Sequence, residues 1–192
     1  SGKMGYAVAK AAARRGAEVT LVAGPTGLPD LRFAEMIHVE SAAEMFEAVS
    51  SRAAEQDMIV KAAAVADYTP AEVSGEKIKK KEGDLSIPLK RTTDILAWLG
   101  AHRRAGQFLC GFSMETENVL ANSRAKLARK GVDMIAANSL RTAGAGFAGD
   151  TNVLTLITKD REEELPLMSK DEAAHRLLDA ILREMGAADG NA

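Results

Sequence analysis

Residues 4–23 read Met-Gly-Tyr-Ala-Val-Ala-Lys-Ala-Ala-Ala-Arg-Arg-Gly-Ala-Glu-Val-Thr-Leu-Val-Ala, and this stretch decides the fold class. From Met4 to Arg15, alanines and apolar residues recur on a helical period. Gly16 stands where the helix would stop, since glycine takes the left-handed closing conformation without steric cost. Glu18 to Ala23 is a short, β-rich apolar run of the kind buried in a parallel sheet, closed by Gly24-Pro25. A helix leading directly into such a strand is half of a crossover unit.

The alternation continues along the chain. A strand is expected at Met36 to Val39, a helix at Ala42 to Glu55 and a strand at Met58 to Ala64. Residues 68–92 then carry two prolines, two glycines and the charge run Glu76 to Glu82. They predict an irregular, solvent-facing excursion with a short strand at Leu85 to Leu89. Alternation resumes with a helix at Thr93 to Arg103, a strand at Phe108 to Phe112, a helix at Glu117 to Lys130 and a strand at Val132 to Ala136. A strand or hairpin at Asn152 to Ile157 and a helix at Lys170 to Met185 complete one domain, residues 1–185. Residues 186–192 form a small, polar tail expected to fray. The fold class is α/β: a doubly wound, mostly parallel, Rossmann-like sheet, whose ligands sit beyond the carboxyl ends of the strands. Such folds open on a central strand; this chain opens on the first helix, so its first strand is expected to be missing.

Composition narrows the function classes. With 192 residues, 46% of them hydrophobic, one core is the default. A net charge of −2 gives no general attraction to nucleic acid or an anionic membrane. The lone Cys110 excludes an intramolecular disulfide and a multi-thiolate metal site, which fits a reducing compartment. No apolar run reaches bilayer-spanning length and no signal-peptide pattern opens the chain, so the expectation is a soluble cytoplasmic protein.

Several segments could carry chemistry, each with a structural alternative. Ser1-Gly2-Lys3-Met4-Gly5 is a helix start suited to a phosphate. It has neither Walker A nor GxGxxG spacing, and a serine N-cap explains it as well. Asp67 follows an apolar strand expected to be central, where a carboxylate can meet a base, a sugar or a cation, or close an Asx-turn. Lys77 to Lys81 puts up to four ammonium groups on the excursion, as partners for a triphosphate or as a solvated face. In Arg91-Thr-Thr-Asp94, either an ordinary helix cap is formed, or Thr93 and nearby N–H groups meet phosphates with Asp94 near a magnesium ion. Phe112 either stacks on a base or caps the core. Lys126 and Lys130, four apart, share one helix face as a phosphate-binding pair or as solvated lysines. Cys110 reads as a small core residue, and His38, His102 and His175 show no metal spacing. There is no serine nucleophile elbow and no Tyr-x-x-x-Lys pair.

Taken in order, SGKMGYAVAKAAARRGAEVTLVAGP, KAAAVADY, EKIKKK, LKRTTDIL, GFSMETEN and Ala137-Asn-Ser139 resemble phosphopantothenate–cysteine ligase, the synthetase half of the bacterial bifunctional coenzyme A biosynthesis protein. The resemblance extends to Lys159. It implies a homodimeric ligase using CTP and magnesium: the 4′-phosphopantothenate carboxylate forms an acyl-cytidylate with release of pyrophosphate, and the cysteine amine displaces CMP. Carried onto matching positions, it implies that Lys61, Ala62, Ala63 and Asp67 line the cytidine site and that Lys77 contacts the triphosphate and the transition state. Thr93, Asp94, Ile95 and Leu96 would cradle phosphates, Phe112 would border the nucleotide, and Lys126 and Lys130 would complete the site. Lys61 departs from the family, which carries a small residue there. The family also has a strand and an asparagine-bearing loop before the SGKMG segment, so the chain as given is expected to bind CTP weakly, or to be completed by residues outside this sequence, and to turn over poorly. A fused or associated flavin-dependent decarboxylase domain is an implied partner, with no FMN expected in this chain. The rival readings are an NAD(P)-dependent oxidoreductase on the same fold and a catalytically silent dimerisation module.

Overall fold

The computed structural model describes residues 1–79, 83–115, 118–139 and 149–189. In chain order the elements are α1 (Lys3–Arg14), β1 (Thr20–Ala23), β2 (Glu35–His38), α2 (Ala42–Ser50), a 3-10 turn (Ala53–Glu55), β3 (Met58–Lys61), β4 (Tyr68–Pro70), β5 (Leu89–Arg91), α3 (Ile95–His102), β6 (Phe108–Glu115), α4 (Val119–Lys130), β7 (Met134–Ser139), β8 (Thr151–Asn152), β9 (Leu154–Ile157), β10 (Glu162–Glu164), β11 (Met168–Ser169) and α5 (Lys170–Asp189).

The main sheet has the order β10-β9-β7-β6-β3; β3, β6 and β7 run parallel, and β9 and β10 add antiparallel. β1 and β2 form a parallel pair of their own, and β4 with β5 and β8 with β11 form short antiparallel ribbons. Strand periodicity explains why helices cover both faces. Cys110, Met134, Ala136, Leu154 and Leu156 pack into one core with Ala7, Val8 and Ala11 of α1 and Ala174, Leu177 and Ile181 of α5. Their alternates Leu109, Ile135, Ala137 and Ile157 pack into the other with Ile95, Leu96 and Leu99 of α3. Each large side chain so buried contributes about 1.5–3 kcal/mol. Arg15 fastens α1 to α5, 2.8 Å from Asp179 and donating to the His175 carbonyl at 2.9 Å.

Three local devices fix the elements around the site. Ser41 caps α2, its hydroxyl accepting from the Glu44 amide at 3.1 Å while the Glu44 carboxylate accepts from the Glu40 amide at 2.8 Å. Asp133 ties the start of β7 to β6: its amide donates to the Leu109 carbonyl at 3.0 Å and its carboxylate accepts from the Leu109 amide at 2.8 Å. The same carboxylate accepts from Arg103, which ends α3, at 2.8 Å. Trp98 on α3 meets Phe46 of α2 edge-on at 5.4 Å and stacks on His102 at 4.2 Å.

Some expectations need correction. β3 stops at Lys61 and lies at the edge of the main sheet rather than at its centre, so Ala62 to Ala66 run on beyond it. The strand expected at 85–89 forms instead at Leu89–Arg91, where β4 offers a partner. α2 ends at Ser50 and the chain turns through a separate 3-10 segment before β3. β6 continues past Phe112 to Glu115 because β7 pairs with it that far. β10, three glutamates, carries no apolar signal and is a strand because β9 supplies the ladder. The last helix extends beyond Met185 to Asp189, through residues expected to fray.

Candidate functional site

Lys61 is the last residue of β3, paired with Gly111 of β6, and is half-buried at the carboxyl end of the parallel strands. Burial pushes its ammonium below the usual lysine range. The charges of Asp94 and Asp67 act against that shift, and those of Lys130 and Lys126 reinforce it. Five residues singled out in the sequence, from three segments between 61 and 130, therefore share one electrostatic neighbourhood.

Asp94 is the hub of this group. It is the N-cap of α3: its Oδ1 accepts from the Ala97 amide at 3.0 Å and its Oδ2 is paired with the Lys130 ammonium. Partial burial opposes ionisation of this carboxyl, but the hydrogen bonds from Lys130 and Ala97 outweigh it, so the group sits below the ordinary carboxylate range. The N-cap is thus Asp94, two residues later than a helix beginning at Thr93 would place it. Thr93 is exposed beside the cap. Ile95 and Leu96 are buried in the core, so only their backbone N–H groups are available to an anion there.

Asp67 follows β3 by six residues with its side chain exposed, and its carbonyl accepts from the Thr92 amide at 3.0 Å. The Thr92 hydroxyl donates to the Ala66 carbonyl at 2.6 Å. These bonds lay the Ala62 to Asp67 segment beside the start of α3. Ala62 is half-buried and Ala63 exposed. Lys126 and Lys130 lie one turn apart on α4, and Lys126 lines a cavity of about 240 Å³ with Asn122, Ala125 and Arg129. A larger cavity of about 490 Å³, between the β9–β10 hairpin and α5, is lined by none of the expected site residues.

Other expected residues stand apart. Lys77 is exposed on the β4–β5 excursion, and Lys80 and Lys81 lie outside the described residues. Phe112, half-buried inside β6, packs against the core with α1 and α5. Cys110 is fully buried, and burial pushes its thiol up to about 12, so it is not a nucleophile. At the chain start the N-cap is Gly2, at φ 69°, rather than Ser1, and no side chain caps α1. Lys3 there pairs with Asp150 at 2.7 Å, and Lys170 adds a second ammonium beside that carboxylate; sequence reading missed both partners, because nothing local marks them.

The described residues do not make a magnesium cage. Among the described residues no three His, Cys, Asp or Glu side chains are grouped to hold a cation, and both Asp94 oxygens are engaged. Magnesium is often carried largely by substrate phosphates, and that arrangement asks for no such cage.

Comparison with known proteins gives the family. The family profile of the DNA/pantothenate metabolism flavoprotein C-terminal domain matches residues 1–185. The chain is 46% identical over 183 residues to the Coenzyme A biosynthesis bifunctional protein CoaBC of Bacillus subtilis, covering 94% of this chain and 45% of that protein. It is also 46% identical over 184 residues to a prokaryotic protein named cysteine/cysteine sulfinic acid decarboxylase, covering 95% of this chain and 51% of that one. The chain thus spans about half the length of these curated relatives. Its fold superposes with a TM-score of 0.80 on the crystal structure of the C-terminal domain of a CoaBC protein, 42% identical, covering 98% of this chain and 86% of that one. The chain belongs to the family of DNA/pantothenate metabolism flavoprotein C-terminal domains.

Proposed function

We propose that this domain is the ligase that joins 4′-phosphopantothenate to L-cysteine through an acyl-cytidylate, in coenzyme A biosynthesis. The observation that carries the reading is the convergence of Lys61, Asp67, Asp94, Lys126 and Lys130 at the carboxyl end of a parallel sheet, in a chain whose fold superposes on the solved C-terminal domain of a coenzyme A biosynthesis protein. Three lysines around one helix N-terminus suit a triphosphate, and Asp67 suits the polar edge of a pyrimidine.

In the first step a carboxylate oxygen of 4′-phosphopantothenate bonds to the α-phosphorus of CTP and the bond to pyrophosphate breaks. In the second, the cysteine nitrogen bonds to the acyl carbon, CMP leaves, and the amine gives up a proton. Both steps ask the protein mainly to align reactants and offset phosphate charge. Magnesium, bound to the triphosphate, would add to that neutralisation. Lys61, Lys126 and Lys130 hold the polyphosphate, and the backbone N–H groups of Ile95 and Leu96 face it. Ala62, Ala63 and Phe112 border the nucleotide, and Thr93 stands beside the phosphates. Lys77 is the catalytic lysine, carried in by the excursion to meet the charge that develops on the leaving pyrophosphate.

The working unit proposed is a cytoplasmic homodimer. Val73, Ile78, Leu85, Ile87 and Leu89 are all more than half exposed on the β4–β5 excursion, an apolar patch that a second copy would cover. A fused or associated flavin-dependent decarboxylase domain is the proposed neighbour, with flavin bound by that domain and not by this one.

The test is thermal unfolding of the 192-residue chain with magnesium and CTP, ATP, UTP or NADPH in turn, comparing wild type with Lys77→Ala. CTP-selective stabilisation that the substitution reduces is expected, since a ligand of the folded state raises the midpoint. Stabilisation by NADPH with no response to CTP would overturn the reading.

A further inference from the structure

α4 ends in a left-handed glycine. Gly131 has φ 64°, its amide donates to the Ala128 carbonyl at 3.3 Å, and the Val132 amide donates to the Leu127 carbonyl at 3.3 Å. This turn is seated on α3 at Gly100. A Cβ at Gly100 would overlap the Lys130 carbonyl, and a Cβ at Gly131 would come within 3.6 Å of the Gly100 carbonyl oxygen. A glycine inside a helix weakens it; here it allows two backbones to touch.

The crossing fixes where Lys130 starts, and Asp94 fixes where it ends. Gly100 lies six residues, about 9 Å, along α3 from Asp94. With its backbone against Gly100 and its ammonium on Asp94, the Lys130 side chain runs back along α3 and is only 15% exposed. Asp94 itself is locked by the Ala97 amide. A lysine held at both ends has already lost most of the rotamer freedom that ligand binding would otherwise remove.

We propose that Asp94 is a positioning residue, not a metal ligand: it anchors Lys130 at the N-terminus of α3, with the Gly100 crossing as the other half of the clamp, so that the ammonium is in place before a triphosphate arrives. This rests on the proposed reading of the cluster as the triphosphate site. Arriving phosphate shares Lys130 with Asp94, and the Asp94 charge keeps Lys130 and Lys61 from repelling one another apart.

The experiment is calorimetric titration of the 192-residue chain with CTP at several magnesium concentrations, using wild type, Asp94→Asn, Lys130→Met and the double variant, with urea unfolding as a control. Asparagine caps helices as well as aspartate, so Asp94→Asn keeps α3 while releasing the lysine. Expected are a CTP Kd weakened about tenfold in Asp94→Asn, the effect of restoring one lysine's rotamer entropy, and at least as much in Lys130→Met. The double variant should fall within about twofold of Lys130→Met, the non-additivity of residues acting as one unit. The magnesium concentration giving half-maximal tightening should not change. Gly100→Ala is the second route: displacing the end of α4 should weaken CTP binding in the same way and add nothing to Lys130→Met. Wild-type affinity in Asp94→Asn or Gly100→Ala, full additivity, or a raised magnesium requirement in Asp94→Asn overturns the anchor. Wild-type affinity in Lys130→Met, or no CTP binding by the wild type, overturns the triphosphate reading itself, and the anchor with it.

Discussion

Replacing Asp133 tests how the site's scaffold is held. Its carboxylate is the acceptor for the amide of Leu109, a residue with no solvent exposure, and for Arg103 in an ion pair in which both side chains are about 30% exposed. In Asp133→Ala the buried Leu109 amide loses its partner, a cost of about 1–3 kcal/mol. The half-exposed pair adds under about 1 kcal/mol. The sum is about 1–4 kcal/mol, which in a domain of this size lowers Tm by roughly 2–16 °C. Asp133→Asn keeps an oxygen for the Leu109 amide and gives up only the ion pair, so it should cost about 1 kcal/mol or less. Urea unfolding with a shared m-value separates the two variants. If asparagine proves as damaging as alanine, or if alanine costs less than about 0.5 kcal/mol, the buried-amide reasoning is wrong.

The remaining predictions concern single groups. Cys110, its thiol pushed from an ordinary 9.0 up to about 12 by burial, should resist thiol reagents at pH 8 until the chain unfolds. Because the folded state keeps its proton longer, its stabilising effect should be intact below pH 9 and lost between about 9 and 12, so the stability gap to Cys110→Ala should narrow in that window. Glu44 is held below its ordinary 4.5 by the Glu40 amide first and then by Ser41. Its contribution is therefore present above pH 4.5 and disappears as pH falls through the lower folded value, so wild type and Glu44→Gln should converge in acid unfolding. Ser41→Ala should cost about 1 kcal/mol by chemical denaturation through loss of the α2 cap. Gly111→Ala would drive a methyl group into Leu96 at the start of α3, and overpacking of that kind should cost about 1–3 kcal/mol.

The helices were legible from their apolar period and the parallel strands from short buried apolar runs, as in Phe108 to Cys110 and Met134 to Ala136. What escaped was decided by pairing partners and not by the segment's own residues. Nothing local makes a strand of Glu162–Glu164; the edge of β9 does. The strand of the excursion formed where β4 could pair with it, not where the apolar residues Leu85 and Ile87 stand. The site divides along the same line. Asp94 could be read as a first-turn residue of a capped helix; it is the cap itself. That Lys130 returns to it across 36 residues depends on the contact between α4 and Gly100, a residue that in sequence looks only like a weak point in a helix. Lys61 showed itself as a departure from the family; its burial beside Asp94 needed the fold.

Trp98 is the only tryptophan of the chain, and it rides on α3 four residues after Asp94. Its indole lies between the edge of Phe46 on α2 and the face of His102, whose Nδ1 is 2.8 Å from the Trp98 carbonyl oxygen. Indole emission depends on such close neighbours, and the stack on His102 belongs to α3 itself while the contact with Phe46 does not. A shift of the helix against α2 would change one contact and leave the other intact. The domain therefore carries a built-in optical probe: intrinsic fluorescence can follow the seating of α3 in real time without any label.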